Sequence, residues 1–154
     1  MDEIIKTEKN IPKRIGIMTC SNITQDLNCA SSICLKDLRA GSGRFTSYDD
    51  AELVGIISCA GCPGNLGANK LANRIRALTE LSPDAIHFSS CMINLCPFKE
   101  KYSRMLNEKY PDIEVVYGTH DPPEGVTPEI FVETVKSLIS KPKPDLTGLM
   151  KPFV

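Results

Sequence analysis

The chain has 154 residues, 42% of them hydrophobic and 7 of them cysteine, with a formal net charge of -1 from 18 basic and 19 acidic residues. That length suits one domain that buries roughly 70% of the surface its unfolded form exposes, and the balanced charge lacks the basic face that nucleic-acid binding needs. With no apolar stretch near the roughly 20 residues of a spanning helix and no h-region in the opening MDEIIKTEKNIPKR, a cytoplasmic protein is expected, without nucleic-acid or membrane partners.

In chain order, residues 1–13 read as an N-terminal extension. Ile15, Ile17 and Met18 then form a first apolar run ending at Cys20. Ala30, Ile33, Cys34 and Leu38 make a helical stripe that Gly41 stops. The run Leu53, Val54, Gly55, Ile56 and Ile57 is a second strand, ending at Cys59, and Ala68, Leu71, Ala72, Ile75 and Leu78 are a second helix. Ala85 to Ser89 is a third strand, ending at Cys91, followed by the stripe Phe98, Tyr102, Met105 and Leu106. Val115 to Tyr117 is a fourth strand, ending near His120. A last helix carries Phe131, Val135, Leu138 and Ile139, with Thr127 as N-cap and Pro128 at its first position. Residues 141–154 read as an extended, proline-marked tail.

Continuous apolar strands alternating with amphipathic helices imply right-handed crossovers and strands covered on both faces. The expected fold is therefore α/β, a three-layer open, mainly parallel sheet of about four strands with helices on both faces, flavodoxin- or Rossmann-like, over residues 14–140.

Cytosolic thiols are kept reduced, so seven cysteines, an odd number, point to metal binding or redox chemistry before a disulfide framework. Cys20, Cys59 and Cys91 each close a predicted strand and His120 follows the fourth. In an open parallel sheet the carboxyl ends of the strands share one edge, where ligands bind. Cys59-Ala-Gly-Cys62 is a C-x-x-C chelate motif. Cys62-Pro63 and Cys96-Pro97 each read as a loop entering a helix, with proline at the first helical position and a cysteine beside the N-cap, where the helix dipole favours thiolate. The primary metal candidates are Cys20, Cys59, Cys62 and Cys91, with His120 as a fifth group. Cys29, Cys34 and Cys96 are secondary candidates that complete a second site or replace one of these. Four thiolates suit tetrahedral zinc or an iron–sulfur cluster alike.

Two other readings stand beside this one. Cys59 and Cys62 could cycle as a thiol–disulfide pair serving a redox partner protein, or the cysteines could be small core hydrophobes. His87, inside the third strand, reads as a core residue with a local hydrogen bond. A cysteine phosphatase is excluded because Asp26, Asn65 and Pro97 stand where its arginine is needed. The segment from Gly64 to Leu71 lacks the second glycine and the hydroxyl residue of a phosphate loop.

Ser58 to Gly64, followed by Ser90-Cys91, Cys96-Pro97-Phe98 and Thr119-His120, resembles the CGGC-domain family, with Thr19-Cys20-Ser21 and the pair Cys29 and Cys34 similar to its opening segment. The resemblance spans roughly residues 14 to 120 and implies metal binding through cysteines and histidines, without implying a reaction. Ala60 departs from the glycine of the family's name motif; alanine is still small, so the turn survives wherever φ is negative.

Overall fold

The structure is a computed structural model that describes residues 11–59, 61 and 67–139. The expected extension and tail lie almost wholly outside the described residues, as do Ala60 and Cys62. The described elements are β1 (Lys13–Thr19), a short helical turn (Asn22–Asp26), α1 (Ser32–Ala40), a 3-10 turn (Gly43–Phe45), β2 (Ala51–Ser58), α2 (Gly67–Thr79), β3 (Ala85–Phe88), α3 (Ser90–Leu95), α4 (Lys99–Lys109), β4 (Glu114–Tyr117) and α5 (Pro128–Ile139).

All four strands are parallel and lie side by side in the order β2-β1-β3-β4. This is the expected α/β fold. The order means that the chain moves outward from β1 to β2, then crosses back to β3 on the other side of β1. The crossover loops diverge where the direction reverses, and a crevice opens outside the carboxyl ends of β1 and β3.

Strand alternation sorts the core into two layers. Ile15 and Ile17 of β1 and Ala85 of β3 face α1 and the 3-10 turn, packing with Cys34, Leu38 and Phe45. Met18 of β1 and Ile86 and Phe88 of β3 face the opposite way, onto Leu71, Ile75 and Leu78 of α2 and Tyr102 and Leu106 of α4. Gly16 shares that second face. A Cβ placed there would stand 2.7 Å from Leu78 Cδ2, so the missing side chain is what seats α2 against the sheet.

The helix ends follow the sequence signals. Gly41 closes α1 in the left-handed region at φ 58, a conformation that costs glycine little. Pro128 opens α5, and Thr127 Oγ1 accepts the Ile130 N–H at 3.3 Å. His87 is fully buried. Its Nδ1 donates to Gly118 O at 2.8 Å, because a carbonyl can only accept, and its Nε2 therefore accepts from Tyr48 Oη at 2.9 Å. Burial pushes the ring's pKa down. The expected core histidine is what the structure contains.

One element departs from expectation. The stretch between Cys91 and Cys96 is a helix, α3, with Ser89 as its N-cap; Ser89 Oγ accepts the Met92 N–H. Cys96 is the C-cap of α3, its N–H donating to Met92 O, and α4 begins at Lys99. The expectation that Cys96 sits at a helix N-terminus, with its thiolate favoured there, is overturned. Proline disfavours helical backbone in the residue before it, so Pro97 ends α3 and opens nothing. Ser89-Ser90 ahead of an apolar run was the available signal for this helix.

Candidate functional site

The parity of the strands decides which cysteines meet. Thr19 and Ser58 are register partners at the ends of β1 and β2. Their hydroxyls bond each other at 3.1 Å, and Thr24 Oγ1 reaches the same Ser58 hydroxyl at 3.1 Å. The next residue along each strand points the opposite way. Cys20 and Cys59 therefore face each other across adjacent strands, with Cys59 N donating to Thr19 O at 2.8 Å. Their two thiols are close enough for each to shift the other's ionisation. The residues are only 5% and 6% exposed, yet both line a cavity of about 300 Å³. Met92 and Cys96 border it from the α3 segment, and Val132, Val135 and Lys136 from α5.

The pair is electrostatically asymmetric. Ser21 N donates to Cys59 Sγ at 3.3 Å, and Ser21 Oγ lies 3.5 Å from the same sulfur. The neighbouring Cys20 thiol and the Gly61 N–H also favour the charged form of Cys59. The Cys20 thiol is the largest influence. Together these donors outweigh burial and lower the Cys59 thiol to about 5. Cys20 moves strongly the other way, first because of the neighbouring Cys59 thiol and then because it is buried. One proton is thus kept on Cys20 and the negative charge on Cys59. Arg74 Nη1 donates to Ser58 O at 2.9 Å and Cys59 O at 3.1 Å, anchoring the end of β2 to α2.

Cys91 occupies the other side of the same sheet edge. It lines a cavity of about 480 Å³ in the crevice between β1 and β3, together with Thr19, Cys29, Cys34, Ser89 and His120. Its sulfur is half-buried, bonded to Ser89 Oγ at 2.9 Å and reached by the Cys20 N–H. Burial raises its thiol against those two hydrogen bonds. Cys34 is likewise raised by burial and bonded to Thr119 Oγ1 at 3.2 Å. Cys29 is exposed.

Ser90 places His120 on this rim. Its hydroxyl accepts the Thr119 N–H at 3.1 Å and the His120 N–H at 3.0 Å, and donates to His120 O. The His120 Nδ1–H is used on Asp121 O at 2.8 Å, which leaves Nε2 as the nitrogen able to accept or ligate.

The sequence candidates therefore divide. Cys20 and Cys59 face one cavity together, and Cys96 borders that cavity. Cys91, Cys29, Cys34 and His120 line the second. Cys62 lies outside the described residues, and so does the geometry of the C-x-x-C pair. Among the described residues no group of three or more His, Cys, Asp or Glu side chains is close enough to hold a metal ion. Cys20 and Cys59 fit one edge of a thiolate site, and a closed site requires donors beyond the two. Sequence reasoning missed Ser21, whose position directly after Cys20 was its only signal, and the hydroxyls of Thr19, Thr24, Ser58, Ser89 and Thr119, which no spacing marks. Among the described residues no helix is long and apolar enough to cross a membrane.

Residues 14–120 match the family model described as the CGGC domain. An uncharacterized protein of Methanocaldococcus jannaschii is 31% identical over 117 residues, covering 70% of this chain and 86% of that protein. A second uncharacterized protein of the same organism is 30% identical over 69 residues, covering 44% of this chain and 98% of its own length. No solved structure matches the chain.

Proposed function

This chain belongs to the CGGC-domain family, to which metal binding is ascribed, and from that premise we propose that it holds a thiophilic metal at the carboxyl edge of its sheet, with Cys20 and Cys59 as the anchoring ligands. The observation that carries the reading is the Cys20–Cys59 pair itself: two cysteines facing each other on neighbouring strands, one of them met by backbone and hydroxyl donors that favour its thiolate. A thiolate is the metal-binding form of cysteine, and a site already charged binds with little loss to protons at neutral pH.

Cys62, two residues beyond Ala60 in the C-x-x-C motif, is the proposed third ligand, and Cys91, whose sulfur lines the second cavity and accepts the Cys20 N–H, would turn across the rim on metal binding to become the proposed fourth. His120 and Cys34 would serve as neighbours across the rim. Four sulfurs of this kind suit zinc, which would lock the loops together, or an iron–sulfur cluster, which would carry single electrons.

Elemental analysis with an absorption spectrum, on chain purified without oxygen, tests the proposal. Stoichiometric metal that is lost in both Cys20→Ser and Cys59→Ser is the expected result. Absorption near 400 nm then assigns iron–sulfur, and a colourless zinc-loaded chain assigns zinc. A folded chain that takes up neither, even after anaerobic incubation with zinc or with iron and sulfide, refutes it.

A further inference from the structure

We propose that Cys20 and Cys59 form a reversible disulfide across β1 and β2, which makes the metal-free chain a thiol–disulfide exchange protein in which Cys59 attacks and Cys20 resolves. The inference needs no metal and stands apart from the metal reading.

Three observations lead to it. Adjacent parallel strands run roughly 4.8 Å apart, and Thr19 and Ser58 are register partners with Cys59 N bonded to Thr19 O. The residues that follow them are therefore set at a Cα separation inside the roughly 4.4–6.8 Å that a disulfide spans. Parity sends both side chains to the same side of the sheet, where they line one cavity. Closing the bond asks for the two side chains to turn toward each other across one pair of neighbouring strands.

The second observation is polarity. Ser21 N–H and Ser21 Oγ both address the Cys59 sulfur, and such donors stabilise a sulfur anion there, so Cys59 is the attacking atom. The third is access. Both cysteines are buried, but the cavity of about 300 Å³ that they line has room for a small disulfide. Among the described residues, Asn22, Asn94 and Lys136 give it polar lining. The substrate class is accordingly a low-molecular-weight disulfide.

The exchange balances as follows. Cys59 thiolate attacks one sulfur of R–S–S–R, forming Cys59–S–S–R and expelling RS⁻. That thiolate takes the Cys20 proton and leaves as RSH. Cys20 thiolate then attacks the Cys59 sulfur, forming the Cys20–Cys59 disulfide and expelling a second RS⁻. Two protein thiols are oxidised and one small disulfide is reduced.

The test uses the full chain, stripped of metal and kept under nitrogen, with 2-hydroxyethyl disulfide as the probe. Alkylation, digestion and mass spectrometry then identify the linked peptides. Loss of two of the 7 thiols, with Cys20 joined to Cys59, is expected, and the same linkage in Cys62→Ser. In Cys20→Ser the exchange should stop at a mixed disulfide on Cys59. A Cys59–Cys62 or Cys20–Cys96 bond as the main product, or unchanged thiols, overturns the proposal. Because mapping of the wild-type chain alone decides the linkage, a variant that fails to fold does not shelter it. Metal content, measured separately, leaves the two readings distinguishable.

Discussion

Removing the Cys20 sulfhydryl should raise the pH at which Cys59 becomes reactive. The Cys20 S–H is the largest of the influences that lower the Cys59 thiol to about 5, ahead of the Ser21 N–H and O–H and the Gly61 N–H. A hydrogen bond to a charged group contributes about 1.5–3 kcal/mol. At about 1.4 kcal/mol per pH unit, its loss moves the inflection up by about 1–2 units. Cys20→Ala should therefore shift the pH profile of Cys59 alkylation upward by about that amount, while Cys20→Ser, which keeps a donor, should stay closer to wild type. The assay is the initial rate of iodoacetamide labelling of the Cys59 peptide on metal-free chain between pH 4 and 9. Only the thiolate reacts, so the rate tracks its population. Equal inflections in Cys20→Ala and wild type would show that the two sulfurs do not share a proton, and the account of the site would fail with them.

Two further outcomes follow from the same geometry. Cys59 is lowered in the folded chain, so it contributes stability that is fully present above its unfolded value of about 9 and is lost as pH falls through about 5. Wild type should gain on Cys59→Ser by up to about 1.4 kcal/mol per unit across that window, read from urea midpoints. Above it both proteins lose stability as pH rises, because Cys34 and Cys91, present in each, are raised in the fold and the unfolded chain ionises them first. Parallel curves for the two proteins within the window would contradict this. Gly16→Ala places a Cβ 2.7 Å from Leu78 Cδ2, and overpacking of this kind costs about 1–3 kcal/mol. Its urea midpoint should fall while the alkylation profile of Cys59 stays put; an unchanged midpoint would mean α2 does not rest on that glycine.

The sheet was legible because its signals are local. Ile15 to Met18, Leu53 to Ile57, Ala85 to Phe88 and Val115 to Tyr117 are short apolar runs, and each lies in a strand. Gly41, Thr127 and Pro128 mark helix ends through conformations that depend on their own side chains or the lack of them. The stretch from Ser90 to Leu95 was harder. Six mainly apolar residues carry no decisive period, and the flanking proline at 97 was assigned to the wrong side of the boundary.

The sequence by itself determined that Cys20, Cys59 and Cys91 come to one edge of the sheet, since each follows a strand and parallel strands end together. Which of them touch was decided by tertiary structure alone. Strand order sets β1 between β2 and β3, and the register pairs Thr19 with Ser58. A strand's side chains alternate, so a one-residue change of register would move Cys59 to the opposite face. Cys20 and Cys59 consequently share one cavity, while Cys91 faces another with His120 and Cys34. The donors of Ser21 reach Cys59 only because two segments 38 residues apart lie side by side. Those pairings depend on crossovers through the whole chain, and no local pattern of residue types encodes them.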